Sequence, residues 1–325
     1  MIESDELLSI RAAELYYEDD KTQDEIGSIL RLTRWKVGRL LAQAKADGFI
    51  RIEIVHPRAR RLTVERRLRE TWGLTDAIVV STAGVDDQDD VQSRVAQAAA
   101  DYLTTLRPVP RTLGISWGRT LHEISMHLGD GWAHGVDVVQ INGGVSLTRL
   151  AGTAATTAVT IAQKGRGQAA LLPSPAILER LETKRAIESD RAVAAVLGLA
   201  STADAYLFSA GPADATSVLV DSGYLTADDV AALVRRGAVG DVVGRYIDAA
   251  GGIVDPELDQ RTVGLPLERL RAASLSIAVI SGPTKHAVAR AVVSSGLCTV
   301  LVTDEETATT LIDTHADNEG QRGSA

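Results

Sequence analysis

Residues 113–121 read LGISWGRTL, and the residue types in this stretch are those of a ligand cradle. Gly114 and Gly118 permit close backbone approach; Ser116, Arg119 and Thr120 offer hydroxyls and a cation, with Trp117 among them. An apolar run leads in and a helix is predicted to lead out, so backbone N–H groups at the helix start would favour an anion. The spelling also contains G-x-S-x-G from Gly114 to Gly118, the pattern of a hydrolase nucleophile elbow. That chemistry needs an acid and then a histidine late in the chain, which leaves His286 and His315, neither with a convincing acid before it. Ser116 therefore reads as a hydrogen-bonding wall. No Gly-Lys-Ser/Thr follows and no G-x-G-x-x-G is present, and no cofactor is expected.

Three further strand ends gather on the same side if the strands run parallel: Gln140 to Gly144, Asp204 to Gly211, and Ser281 to Lys285. Ligands in open α/β sheets bind outside the carboxyl ends of the strands, which makes Gln140, Asn142, Gly143, Asp204 and Lys285 candidates. Lys285 would neutralise a phosphate, or is a surface lysine. Asp241, in the Gly-spaced turn 237–241, would bind ligand hydroxyls or only cap the next helix. His122 and His127 lie five apart, poor spacing for one helical face, so no metal site is expected.

Alternating elements must position these residues. Apolar runs at Ala77–Val80, Thr112–Ser116, Asp137–Ile141, Ala169–Pro173, Asp204–Gly211, Ser276–Gly282 and Thr299–Asp304 read as strands. Helical patterns at 91–106, 120–128, 187–200 and 286–295 fall between them. Strands alternating with helices imply a mostly parallel sheet covered on both faces.

The first 55 residues follow a different grammar. Leu7, Leu8, Ile10, Ala13, Leu15 and Tyr16 recur at helical spacing, and Thr22 to Glu25 spells a capping box that opens a second helix. Thr33 caps a third helix whose buried face is Val37, Leu40, Leu41 and Ala44, ending at Gly48. Phe49–Val55 alternates as a half-buried strand, and the set outlines a winged helix-turn-helix. Thr33, Arg34, Trp35, Lys36 and Arg39 would enter the major groove of operator DNA, with Gln23 as a backbone clamp. The alternative is a helical dimerisation arm with solvated charges.

Net charge is −9, but 31–69 holds twelve Lys/Arg against three acids, a basic module on an acidic body. Cys298 is the only cysteine, which excludes an intrachain disulfide. Met1–Ser9 carries three acids where a signal peptide would be basic, and no apolar run approaches a membrane span; a cytoplasmic protein is expected.

The segments TQDEIGSILRLTRWKVGRLLAQAKADGFIRIEI, LGISWGRTL, VVQINGG, LPSPAI, GAVGDVVGRYID, VGLPLERLR and LVTDEETATTLI cover nearly the whole chain. Together the chain resembles the SorC-type bacterial transcriptional regulators, grouped with the deoxyribonucleoside regulators. The resemblance implies a helix-turn-helix joined to a sugar-binding domain similar to the glucosamine-6-phosphate deaminase and ribose-5-phosphate isomerase fold. It also implies an effector pocket for a sugar, polyol or sugar phosphate at 114–120 and the Asn142-Gly143 turn, with Asp241 and Lys285 nearby, and a homotetramer built as a dimer of dimers. The chain departs from the family at Phe208 to Gly211, where a Gly-Ile-Gly turn is usual, and at Gly38, where the recognition helix often has serine. The expected boundaries are 1–56 for DNA binding, 57–75 for a linker and helix, 76–312 for the effector domain and 313–325 for a flexible tail. The rival reading is a sugar-phosphate isomerase or deaminase on the related fold.

Overall fold

The computed structural model describes residues 2–50, 60–85, 87–144 and 153–322, and the chain divides into two compact units, Met1–Val55 and His56–Ala325. The strand expected over Phe49–Val55 falls almost wholly outside the described residues, as does Pro57.

The first unit is three helices: α1 (Ile2–Tyr17), α2 (Gln23–Leu30) and α3 (Arg34–Ala46). The capping box is formed: Thr22 Oγ1 accepts from Glu25 N–H, and Glu25 Oε2 accepts from Thr22 N–H at 2.8 Å. Between α2 and α3 the chain turns on Arg31, held left-handed at φ 55°. Gly27 makes that tight turn possible, since a Cβ there would lie 2.7 Å from Leu32 O. Ile26, Val37, Leu40 and Ala44 meet Ala12 and Leu15 in one small core.

The second unit begins with α4 (Leu62–Trp72), β1 (Asp76–Val80), α5 (Gln88–Thr105), β2 (Thr112–Ile115), α6 (Arg119–His127), β3 (Asp137–Gln140), α7 (Thr153–Lys164) and β4 (Ala169–Ala170). It continues through α8 (Leu181–Glu188), α9 (Arg191–Ser201), β5 (Ala205–Phe208), β6 (Ala210–Pro212), α10 (Val218–Asp221), α11 (Ala227–Arg235), β7 (Gly240–Val242) and β8 (Arg245–Ile247). The remainder is α12 (Pro256–Arg261), α13 (Leu267–Arg271), β9 (Ser276–Val279), a 3₁₀ turn (Pro283–Lys285), α14 (His286–Ser294), β10 (Val300–Asp304) and α15 (Glu305–Arg322).

Seven strands form one parallel sheet in the order β1-β10-β9-β5-β2-β3-β4. Their side chains alternate between two cores. Ile78, Leu113, Ile115, Leu207 and Ile277 face α5, α6 and α7, whereas Val79, Tyr206, Phe208 and Ala278 face α4, α14 and α15. This is the both-faces burial that all-parallel sheets require. A second sheet, β6-β7-β8, is antiparallel and was not foreseen; its strands are three residues each, too short to carry a period.

Two expected elements are corrected. The helix expected over 187–200 is two helices, because Asp190 caps a new start by accepting from Ala192 N–H at 2.8 Å. Within the stretch expected as linker and helix, α4 spans Leu62–Trp72 and buries Leu68 fully in the main core. The tail expected from 313 continues α15 to Arg322.

Candidate functional site

The direction of the chain through the sheet locates the site. From β2 the chain steps outward to β3 and β4; it then returns to β5 on the other side of β2 and steps the opposite way to β9 and β10. Adjacent β2 and β5 are therefore the place where the connections diverge, and the crevice beyond their carboxyl ends is where such sheets hold ligands. A cleft opens there, between the loop after β2, the segment after β5 and the β7–β8 turn.

The loop after β2 forms one wall, through Ser116, Trp117, Gly118, Arg119 and Thr120. Ser116 and Thr120 are buried, and the main chain is pinned by Ser116 N–H donating to Leu207 O at 3.1 Å. Gly118, at φ 139°, starts α6 with no side-chain cap, which leaves that helix start to be satisfied from the cleft. Trp117 is fixed by Nε1 donating to Gly143 O at 2.7 Å.

Asn142 lies on the floor, 2% exposed, and its Oδ1 has no hydrogen-bond partner among the described residues. A buried acceptor left so is costly until a donor arrives. The opposite wall is Ser209 to Pro212 after β5, with Thr216, Val218 and Leu219 beyond.

Two charged groups complete the cleft. Asp241 on β7 accepts from Gly244 N–H at 3.0 Å through Oδ2, while its Oδ1 stands where a Cβ on Gly211 would be. Burial pushes its carboxyl up to about 6, against the opposing pull of the Gly244 N–H and of Lys285. Lys285 ends the 3₁₀ turn; burial and then Arg119 hold its ammonium below the ordinary lysine range, opposed by Asp241 and Glu123. Cations, one buried carboxyl, hydroxyls and the Asn142 amide oxygen together suit a polyhydroxylated anion.

Of the twelve residues predicted for this site, Ser116, Trp117, Gly118, Arg119, Thr120, Asn142, Asp241 and Lys285 come together. Four do not line it. Gly114 faces the core, where a Cβ would lie 2.6 Å from the Tyr206 ring and 2.7 Å from Ile141 Cγ2. Gln140 is buried and its Oε1 accepts from Leu172 N–H at 3.3 Å. Gly143 lets the chain pass against Pro175, where a Cβ would clash, and serves the site only through Trp117. Asp204 precedes β5 and so lies at the amino edge of the sheet; its Oδ2 accepts from Arg111 and Thr112 N–H at 2.9 and 3.0 Å, in a groove with Arg107 and Arg269. Gln92, Thr216 and Gly244 were missed, since each reaches the cleft from an element with no local ligand signature. Among the described residues, no group of three or more His, Cys, Asp or Glu is gathered to hold a metal.

The predicted DNA-contacting residues lie on the first unit. Thr33 caps α3 by accepting from Lys36 N–H at 3.2 Å. Trp35 is 72% exposed, and the Arg39 guanidinium stacks over its ring at 5.2 Å. Arg34 pairs with Asp24 of α2 at 3.7 Å. The Gln23 amide oxygen lies 3.5 Å from the position of a Cβ on Gly38, which brings the start of α2 against α3. No helix among the described residues is long and apolar enough to cross a membrane.

Residues 56–313 match the Sugar-bind family, described as a "Putative sugar-binding domain". The deoxyribonucleoside regulator of Bacillus subtilis is 30% identical over 306 residues, 94% of this chain and 97% of that protein. The erythritol catabolism regulatory protein of Brucella abortus is 28% identical, over 96% of this chain and 98% of its own. The full-length sorbitol operon regulator structure from Klebsiella pneumoniae superposes with a TM-score of 0.71 at 28% identity, over 94% of this chain and 98% of that one.

Proposed function

We propose, from the premise that the chain belongs to the Sugar-bind family of transcriptional regulators, that it binds operator DNA through α3 and is switched by a carbohydrate effector in the cleft beyond β2 and β5. The observation that carries this reading is the meeting of Arg119 and Lys285 with the unpaired Asn142 Oδ1 in one cleft. A sugar or polyol hydroxyl would donate to Asn142, another to Asp241, and a phosphate would sit between the cations and the uncapped start of α6. On this reading Gln23, Thr33, Arg34, Trp35, Lys36 and Arg39 face the duplex, with the stacked Arg39–Trp35 pair presented to a base step.

The relatives are named as regulators, and the reading here is of a binding site without turnover. Among the described residues Asp241 is the one carboxylate that lines the cleft and no histidine lines it, a poor set for the proton transfers of a sugar isomerase. The reading carries with it a cytoplasmic homo-oligomer, a dimer of dimers, whose paired helix-turn-helix units meet paired half-sites. Effector binding then acts by favouring one oligomer arrangement, and only to the extent that its affinity differs between the two.

Thermal shifts with matched pairs test it: sorbitol, erythritol and deoxyribose, each with and without phosphate. A phosphorylated member is expected to raise the melting temperature more than its parent, and Lys285→Met to remove the difference. Duplexes selected from a random library by the full-length protein should bind with affinity that falls steeply with salt. Salt-independent binding with no sequence preference would sink the regulator reading.

A further inference from the structure

Lys285 belongs to the 3₁₀ turn Pro283–Lys285, which opens at Gly282 with φ 91° and has no side-chain cap. What fixes the turn from behind is Asp304, the last residue of β10, 1% exposed. Its Oδ2 accepts from Gly282 N–H at 2.9 Å and from Thr307 Oγ1 at 2.6 Å, while Oδ1 accepts from Thr307 N–H at 2.8 Å. One carboxylate thus ties the cleft-lining turn to the first turn of α15.

The next residue faces another way. Glu305 Oε2 accepts from Arg61 Nε at 2.7 Å, in a pair about three-quarters buried. Arg61 also donates its N–H to Val79 O at 2.9 Å. Its neighbour Arg60 forks onto Glu65 at 2.7 and 2.8 Å, and Glu65 accepts from Val79 N–H at 2.9 Å. Arg60 and Arg61 are the first described residues after the helix-turn-helix unit. The turn that lines the cleft and the root of the connection to the DNA-binding unit are therefore held by two consecutive residues, Asp304 and Glu305.

We infer that Asp304 and Glu305 relay occupancy of the cleft to the DNA-binding unit, Asp304 by positioning the Lys285 turn and Glu305 by holding Arg61. The inference rests on the cleft being the effector site. A ligand that draws on Lys285 shifts the turn; the shift moves the Asp304 carboxylate and with it the first turn of α15. Glu305 then moves against Arg61. A part-buried ion pair is screened less than an exposed one, so the displacement is felt at the connection. The coupling is two-way, and a strain at Arg61 alters the cleft by the same factor.

Amide hydrogen exchange on the full-length protein tests this, because the Gly282 and Arg61 N–H groups are both hydrogen-bonded. Gly282→Ala strains the turn, and its Cβ would press on Gln88 Oε1 at 3.1 Å. It is expected to speed exchange at 282–285 and also at 61–62, each by about fivefold or more. Thr216→Ala, which alters the cleft outside the relay, should leave 61–62 unchanged. With 50 mM sodium phosphate as the probe, exchange in the wild type should slow at 282–285 and at 61–62; in Glu305→Gln it should slow only at 282–285. An unchanged 61–62 in Gly282→Ala overturns the relay, as does a wild-type phosphate response at 61–62 in Glu305→Gln. A rise spread evenly over all strands in Gly282→Ala also overturns it, since that is plain destabilisation. If phosphate leaves 118–121 and 282–285 unaffected in the wild type, the anion-binding reading of the cleft fails, and the Gly282→Ala comparison still decides the relay.

Discussion

Replacing Asp241 with asparagine should make the protein more stable at neutral pH, and the size of the gain follows from the burial of the carboxyl. In the unfolded chain the group titrates near 3.8, and in the fold at about 6. Each unit of separation is about 1.4 kcal/mol, so ionised Asp241 costs about 3 kcal/mol at pH 7.5. The sign follows from which state holds the proton more tightly. The folded-state value lies above the unfolded one, so stability falls as pH rises between about 4 and 6, and the full cost is present above that window. Asparagine carries no such charge, and its side-chain oxygen can still accept from Gly244 N–H. Asp241→Asn should therefore exceed the wild type by up to about 3 kcal/mol at pH 7.5 and about 1.5 kcal/mol at pH 5, with little difference at pH 4. Calorimetric melting reads this as a rise of roughly 6–12 °C at pH 7.5 for a unit of this size. A lower melting temperature for Asp241→Asn, or a gap that is the same at pH 5 and pH 7.5, refutes the reasoning. The same variant should bind effector more weakly, which would explain why so costly a carboxyl is kept.

Other perturbations have equally definite outcomes. Arg39→Ala removes the guanidinium stacked on Trp35 and should weaken binding to a selected duplex by about 1–3 kcal/mol; anisotropy against salt separates a base contact from a phosphate contact. Glu65→Ala leaves the buried Val79 N–H without its acceptor and should cost about 1–3 kcal/mol in urea unfolding, chiefly from that unsatisfied donor, since the Arg60 guanidinium is itself half exposed to water. Burial pushes the Cys298 thiol up to about 12, so a disulfide reagent at pH 8 should leave it unmodified in the native protein and react at once in denaturant.

The parts of this molecule that were legible from sequence are those governed by local rules. Thr22, Glu25 and Thr33 cap the helices their spelling implies, and β1, β9 and β10 appear within a few residues of their apolar runs. The cleft loop was legible too, since a strand leading through Gly118 into a helix is a local arrangement. What failed depended on direction or on distant partners. Asp204 stands at the start of a strand, and in a parallel sheet that fact alone assigns it to the edge away from the ligand. Gly114 was read as making room for a ligand, whereas the room is taken by Tyr206 from the neighbouring strand. The sheet β6-β7-β8 is set by pairing across about thirty residues, with Gly211 opposite Asp241, and no pattern within three residues announces it.

The position of β1 has a consequence for how the two units can be separated. It is the outermost strand on its side of the sheet, paired only with β10 among the named strands. An open strand edge is a template for adding another chain, and natural sheets blunt such edges with charge or cover. Here the cover is the antiparallel bridge from Arg60 to Val80 and the Arg61 N–H on Val79 O. Arg60 and Arg61 are thus also the guard on an open strand edge. Proteolysis that cuts before Arg60 should release a soluble effector unit, whereas a cut just after Arg61 would bare that edge and yield one that self-associates.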